Sequence, residues 1–338
     1  PMKTATNDVS QLFDLLHQNV QSFLQSDKYR QYLTTMSRFH RYSARNSLLI
    51  LLQNPDASYV AGFQHWKNAF QRFVRKGEHG IQIIGYRPQK INVKENVHDM
   101  HGNIIYGADG QPQTRVTTRI IPRYYPCYVF DVSQTEGKPL PELTPELTGD
   151  VDRFHEYFEA IKSCTVFSVS IEDFNGSAKG VCDLVTQSIR IKPNMGQTQT
   201  LKTLIHETAH ALLHSSQEAM ELDRPTKEVE AESIAFIVCS HYGIDTSDYS
   251  FPYVATWGEG KDIDVLQESF ERIHDMSAAL IEQIDERIQE LQHGSPNHEN
   301  SLPQEPMSMA DQLRKAKQQA DNQQSRPLHT DILHNEER

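Results

Sequence analysis

Between Leu204 and Leu213 the chain reads Leu-Ile-His-Glu-Thr-Ala-His-Ala-Leu-Leu, a His-Glu-x-x-His motif inside an apolar run of helical character. Four residues make just over one helical turn, so His206 and His210 leave the same face of such a helix. Two imidazoles stacked this way can grip one Zn²⁺, and Glu207 beside them is placed to act as general base on an attacking water. The same five residues also arise in amphipathic helices whose histidines merely edge a core. The motif therefore demands a third donor from a nearby segment.

Ser216 occupies the position where the extended motif would carry a third histidine. His214 lies one turn past His210, but its direction has drifted from that of His206 by most of a right angle, which makes it a helix-end histidine rather than a ligand. The next helical run, from Thr226 to Cys239, is better supplied. Glu228 and Glu232 share one face, Val229, Ile234, Ala235 and Val238 make the apolar stripe, and Glu230 points elsewhere. Alone, the acid pair reads as a solvated helix face. After His-Glu-x-x-His it resembles the thermolysin-like, or gluzincin, arrangement. That resemblance implies Glu228 as third Zn²⁺ ligand and Glu232 as a carboxylate that bonds a ligand histidine and fixes its tautomer. Mn²⁺ is the alternative ion for such a nitrogen and oxygen donor set.

Charge divides the chain. Through Lys138 there are 17 Lys/Arg against 10 Asp/Glu, and beyond it 16 against 35, within a formal net charge of −12. A basic front on an acidic back is expected of a polyanion-binding module joined to something else. Four scattered cysteines without a C-x-x-C pair, no secretory leader and no apolar run of spanning length lead to the expectation of a soluble, cytoplasmic protein with no membrane partner.

The period is helical over 7–35, from about Ser43 to Gln53, and briefly over Gly62 to Phe70. It then turns to strand character at Gly80 to Tyr86, Gln113 to Ile121 and Tyr124 to Phe130, with an exposed hairpin excursion at Asp99 to Gln111. Basic residues interleave with aromatics at Arg41, Tyr42 and Arg45, and again at Trp66, Lys67, Arg72, Arg75 and Lys76. Cations on phosphates and rings on unstacked bases would hold single-stranded DNA. The bland alternative is that the aromatics are core and the cations a solvated face.

Ser43-Ala-Arg-Asn-Ser-Leu-Leu-Ile50, Gly62-Phe-x-x-Trp66, Val74-Arg-Lys-Gly-Glu-x-Gly-Ile81 and Val129-Phe-Asp-Val-Ser-Gln-Thr-Glu-Gly137 resemble, in order, the N-terminal domain of the ArdC antirestriction family. The resemblance implies a single-stranded-DNA-binding domain followed by a metallopeptidase-like domain, carried on mobile elements. A Pro-rich linker is read at Lys138 to Pro145. Beyond it a helix at Phe154 to Ile161, a small antiparallel sheet (Thr165 to Ile171, then a hairpin over 179–192) and the two donor-bearing helices make a minimal zincin. This half also resembles the ImmA/IrrE peptidases. The expected fold is α+β, with domains at 1–140 and 141–260, a C-terminal helix at 261–293 and a disordered tail at 294–338. Tyr253, in Tyr-Val-x-x-Trp, is either an oxyanion donor or, with Trp257, a cap on the core. Three functions fit: an ArdC-like zinc peptidase acting on an unidentified protein substrate, a DNA-coating shield whose metal is structural, and a peptidase that cleaves a repressor.

Overall fold

The computed structural model describes residues 9–293 except 102, 108, 141–152, 217, 218, 220, 248, 250 and 253. Most of the Pro-rich linker, Tyr253 and the tail at 294–338 lie outside the described residues. The helical run over 7–35 folds as α1 (Val9–Asn19), a 3-10 turn (Val20–Leu24) and α2 (Ser26–Arg38). The chain breaks between them at Gln25, in extended backbone that no proline or glycine announces. Next, α3 (Ala44–Gln53) opens on Ser43, whose hydroxyl accepts the Asn46 N–H.

Strands β1 (Val60–Gly62), β3 (Ile81–Tyr86) and β6 (Tyr124–Asp131) form an antiparallel sheet in the order β1-β6-β3, with α4 (Phe63–Asn68) and β2 (Arg72–Val74) between the first two in the chain. Strand β3 would be an open edge. Instead Asn46 and Gln53, two turns apart on α3, each exchange two bonds with its backbone: Asn46 with the N–H and C=O of Ile84, Gln53 with those of Gln82. Side-chain amides thus stand where a neighbouring strand would.

A two-stranded ribbon, β4 (Gln89–Asn96) with β5 (Thr114–Ile121), leaves this sheet and exposes seven of the eight β5 residues. Strand β4 is not expected from the sequence. Finally, β7 (Thr135–Gly137) pairs with β2. Asp131 ties this corner together: one carboxylate oxygen accepts the N–H groups of Ser58 and Tyr59, the other that of Ser133.

The second half comprises α5 (Phe154–Ser163), β8 (Ser168–Ile171), β9 (Gly180–Asp183), β10 (Ser188–Ile191), α6 (Gln197–Leu213), α7 (Arg224–His241), α8 (Val254–Gly258) and α9 (Ile263–His293). Its sheet runs β8-β10-β9. The expected antiparallel sheet is corrected to a mixed one, because β10 pairs antiparallel with β9 but parallel with β8. The chain crosses from β8 to the far edge as β9 and returns through the middle, so β9 keeps one free edge. Ile189 and Ile191 of β10 are fully buried.

The front helices and the second half share one apolar core, while β1, β3 and β6 pack a smaller cluster of their own against Phe39 and Ile50. Tyr29 of α2 donates its hydroxyl to Ser233 of α7 at 2.7 Å, and Ser233 passes its own proton to the Val229 carbonyl. The Tyr29 ring meets Phe251, and that of Tyr32 meets Phe270 of α9, edge to face. Up to His293 the chain is a single compact unit. Among the described residues no helix is long and apolar enough to cross a membrane.

Candidate metal centre

Helix α6 carries His206 and His210 on one face, and α7 lies across it. Asp223 starts α7 by accepting the Thr226 N–H, and Trp257 of α8 donates to the Thr226 hydroxyl, so the first turn of α7 is held at both sides. Glu228 stands one turn further on. Its Oε2 lies 3.6 Å from His206 Nε2 and 3.7 Å from His210 Nε2, and the two nitrogens are 3.2 Å apart. Donors bound at about 2.0–2.2 Å around a tetrahedral ion sit roughly 3.3–3.6 Å from each other. The triad comes close to that spacing, and among the described residues it is the one cluster of its kind. The residues fit a divalent cation.

Electrostatics agree with a site poised for a positive charge. Burial disfavours a charged His206, but the Glu228 and Glu232 carboxylates outweigh it and raise the imidazole to about 10 in the metal-free chain. The histidines in turn hold Glu228 far below the usual carboxylate range. Glu232 Oε2 approaches His206 Nδ1 to 3.2 Å. Glu207 points differently. It is buried, and burial raises its carboxyl pKa against the pull of His206 and His210, while its oxygen accepts the Cys182 backbone N–H of β9. Gly180 makes that approach possible, since a Cβ there would lie 2.7 Å from Glu207 Oε1 and 2.5 Å from Thr203 Cγ2. A cleft of about 720 Å³ opens above, lined by the free edge of β9, by His206, Glu207 and His210, and by Glu228 and Glu232.

The histidine read as a plain helix end is more than that. His214 is buried as the C-cap of α6, with Nδ1 2.9 Å from His210 Nδ1 and Nε2 3.1 Å from Glu230 Oε2. Glu230, off the donor face as expected, is fully buried and takes bonds from Ser269 and Arg272 of α9. Its partners lie 16 and about 40 residues away in sequence, so no local pattern could reveal them.

The residues read as a DNA surface divide. Trp66 is a correction: its indole is wholly buried and donates to the Phe130 carbonyl, leaving no face for a base. Tyr42 is half-buried beside Phe39 and donates to the Val60 carbonyl. Arg72 spends its guanidinium on Thr135 and Lys138, and Arg75 on Glu78 and the Ser133 carbonyl. These two arginines zip β2 and the following turn to β7, and the Arg75 side chain stays about half exposed. Arg45 pairs with Glu271 of α9 at 2.6 Å. Arg41, Lys67 and Lys76 are exposed, with no side-chain bond among the described residues. Unread in the sequence was the ribbon. Its register puts Lys90, Lys94, Val116 and Ile120 on one face, and Tyr124 and Tyr125 stand exposed at its foot beside Arg123.

Two family models match this architecture in order. Residues 3–130 match the N-terminal domain of anti-restriction factor ArdC, and residues 161–243 match the IrrE N-terminal-like domain of the M78 peptidases. In order, then, the chain carries a segment similar to the ArdC N-terminal domain and one similar to the IrrE-like domain. An uncharacterized protein of Bacillus anthracis is 32% identical over an alignment of 286 positions that covers 76% of this chain. The chain spans about half of that relative, 48% of its length. Crystal structures of the antirestriction protein ArdC from the R388 plasmid, metal-free and Mn(II)-bound, superpose with TM-scores of 0.42 and 0.40 at 17% identity. They cover 74% and 73% of this chain, and 86% and 85% of their own.

Proposed function

We propose that this chain is an antirestriction factor with a zinc-dependent peptidase site, whose basic front half binds single-stranded DNA. The observation that carries the peptidase reading is the pairing of two features in one cleft: a donor triad with metal spacing, and a separate buried glutamate beside a free strand edge. His206, His210 and Glu228 would hold the ion. When bound, Zn²⁺ supplies a Lewis acid and lowers the pKa of water. Mn²⁺ is chemically compatible with the same donors.

Glu207 does the proton work. Its raised pKa moves it toward neutrality, where a carboxylate both accepts a proton from the attacking water and returns it to the leaving amine. The outer edge of β9, where Glu207 holds the Cys182 N–H, offers its remaining backbone groups to an extended peptide, which would then lie along the cleft as an added strand. Structural metal sites need donors but no such base, and this favours a peptidase over a metal that only braces the fold. A shield that coats DNA without cleaving protein remains the second reading. It is favoured by Arg41, Lys67, Lys76 and the ribbon cations Lys90 and Lys94, all of them exposed.

Glu207→Gln separates the two. The variant should retain zinc and single-strand binding, while peptide hydrolysis falls about a hundred- to ten-thousandfold. Loss of restriction protection in that variant supports proteolysis; protection that persists supports the shield. A variant that takes up no zinc would remove Glu207 from its role as base.

A further inference from the structure

We propose that Arg272, Glu230 and His214 form a relay that fixes the tautomer of His210 and so presets one donor of the cleft triad. The inference rests on the metal reading above and adds the C-terminal helix α9 to the site. It follows from donor and acceptor inventory, step by step. Arg272 offers only N–H groups, and two of them meet Glu230 Oε1 at 3.0 and 2.6 Å, with the Ser269 hydroxyl on the same oxygen at 2.6 Å. Glu230 is therefore ionised, and its Oε2 can only accept. The group facing Oε2 is His214 Nε2 at 3.1 Å, so that nitrogen carries a proton. In neutral His214 the other nitrogen, Nδ1, is then bare. It lies 2.9 Å from His210 Nδ1, which must supply the proton between them. Neutral His210 is left with its lone pair on Nε2, the atom that faces His206 and Glu228.

The two middle members exclude water. Side-chain exposure is 1% for His214 and 0% for Glu230, so solvent cannot satisfy either in another arrangement. At His206 the carboxylate beside Nδ1 is that of Glu232, 3.2 Å away without hydrogen-bond geometry. Among the described residues the partner of His210 Nδ1 is an imidazole rather than a carboxylate. Ser269 and Arg272 lie beyond the 161–243 segment matched by the IrrE-like model, so the far end of the relay belongs to this chain's own C-terminal helix.

The test uses the full chain, with the tautomer of His210 read by long-range ¹H–¹⁵N correlation before metal is added, and Zn²⁺ affinity then read by chelator competition. Wild type should show His210 protonated on Nδ1. Glu230→Gln keeps the shape but must turn its amide oxygen to Arg272 and Ser269. Its NH₂ then faces His214 Nε2 and inverts every step, placing the His210 proton on Nε2. Zinc affinity should drop roughly ten- to a hundredfold, the usual cost of losing the partner of a ligand histidine. Arg272→Ala, which leaves Glu230 buried without its cation, should lower affinity in the same direction in the folded protein, and Arg272→Lys should recover part of it. Wild-type affinity in both Glu230→Gln and Arg272→Ala overturns the relay, as does a wild-type His210 protonated on Nε2. The tautomer readout needs no metal. Failure of wild type to take up zinc would therefore count against the metal reading and leave the relay judged on its own.

Discussion

Gly180 shows how much of the site depends on one missing methyl group. A Cβ there meets Thr203 and Glu207 at distances no real side chain tolerates, so β9 must back away or Glu207 must rotate. Gly180→Ala is expected to leave zinc uptake intact, because the donors sit on α6 and α7, while peptide hydrolysis falls at least tenfold. Equal turnover by the variant would show that β9 and Glu207 need not touch. At this scale residue type was legible in the sequence and environment was not. His206 and His210, like Glu228 and Glu232, are recognisable because a spacing of four encodes a shared face, and Glu207 is recognisable by its place in the motif beside His206. Trp66, Arg72 and Arg75 have the composition of a nucleic-acid surface, yet their partners at Phe130, Thr135 and Ser133 are about 60 residues away and invisible to local pattern. His214 and Glu230 escaped for the same reason.

Among elements, α6, α7 and α9 could be read from apolar period and capping signals, and β4 could not. Its only apolar residues are Ile91 and Val93, set among polar ones, and its stability comes from pairing with β5 rather than from burial. The parallel pairing of β8 with β10 was equally hidden, since strand order is decided by what packs on α6. Helix α7 makes a prediction at this scale. Asp223 caps its first turn and meets Lys261, and these bonds, led by that to Thr226, hold its carboxyl down at about 2. A depressed folded pKa contributes stability above the unfolded value of about 3.9, and that contribution is lost as pH falls through about 2. Asp223→Asn keeps the cap without the charge and should flatten the acid limb of the stability curve. Asp223→Ala should cost about 1 kcal/mol at neutral pH and weaken zinc binding, because Glu228 lies on the next turn. Urea titrations across that acid range check both; an unchanged acid limb in Asp223→Asn would assign the sensitivity to other groups.

For the whole molecule, the charge asymmetry and the order of motifs announce two modules, while the packing makes them one cooperative body. Helix α2 is part of the front segment, but Tyr29 and Tyr32 are buried against Ser233, Phe251 and Phe270 from the back. Such a shared core predicts a single unfolding transition rather than one per module. The chain has two tryptophans, and they report on opposite halves: Trp66 on the sheet bearing β6, Trp257 on the start of α7. Trp66→Phe and Trp257→Phe therefore leave one probe each, and the two denaturation midpoints should coincide once each is referred to its own parent. Tyr29→Ala placed in both backgrounds removes a ring packed between the halves and should cost about 3–5 kcal/mol by either probe. Tyr29→Phe removes only the hydroxyl, while Ser233 keeps its bond to the Val229 carbonyl, so the loss should be nearer 1 kcal/mol. A Tyr29→Ala shift confined to the Trp66 signal, with the Trp257 transition unmoved, would mean that the front helices are held by their own module and that the common core does not couple the two.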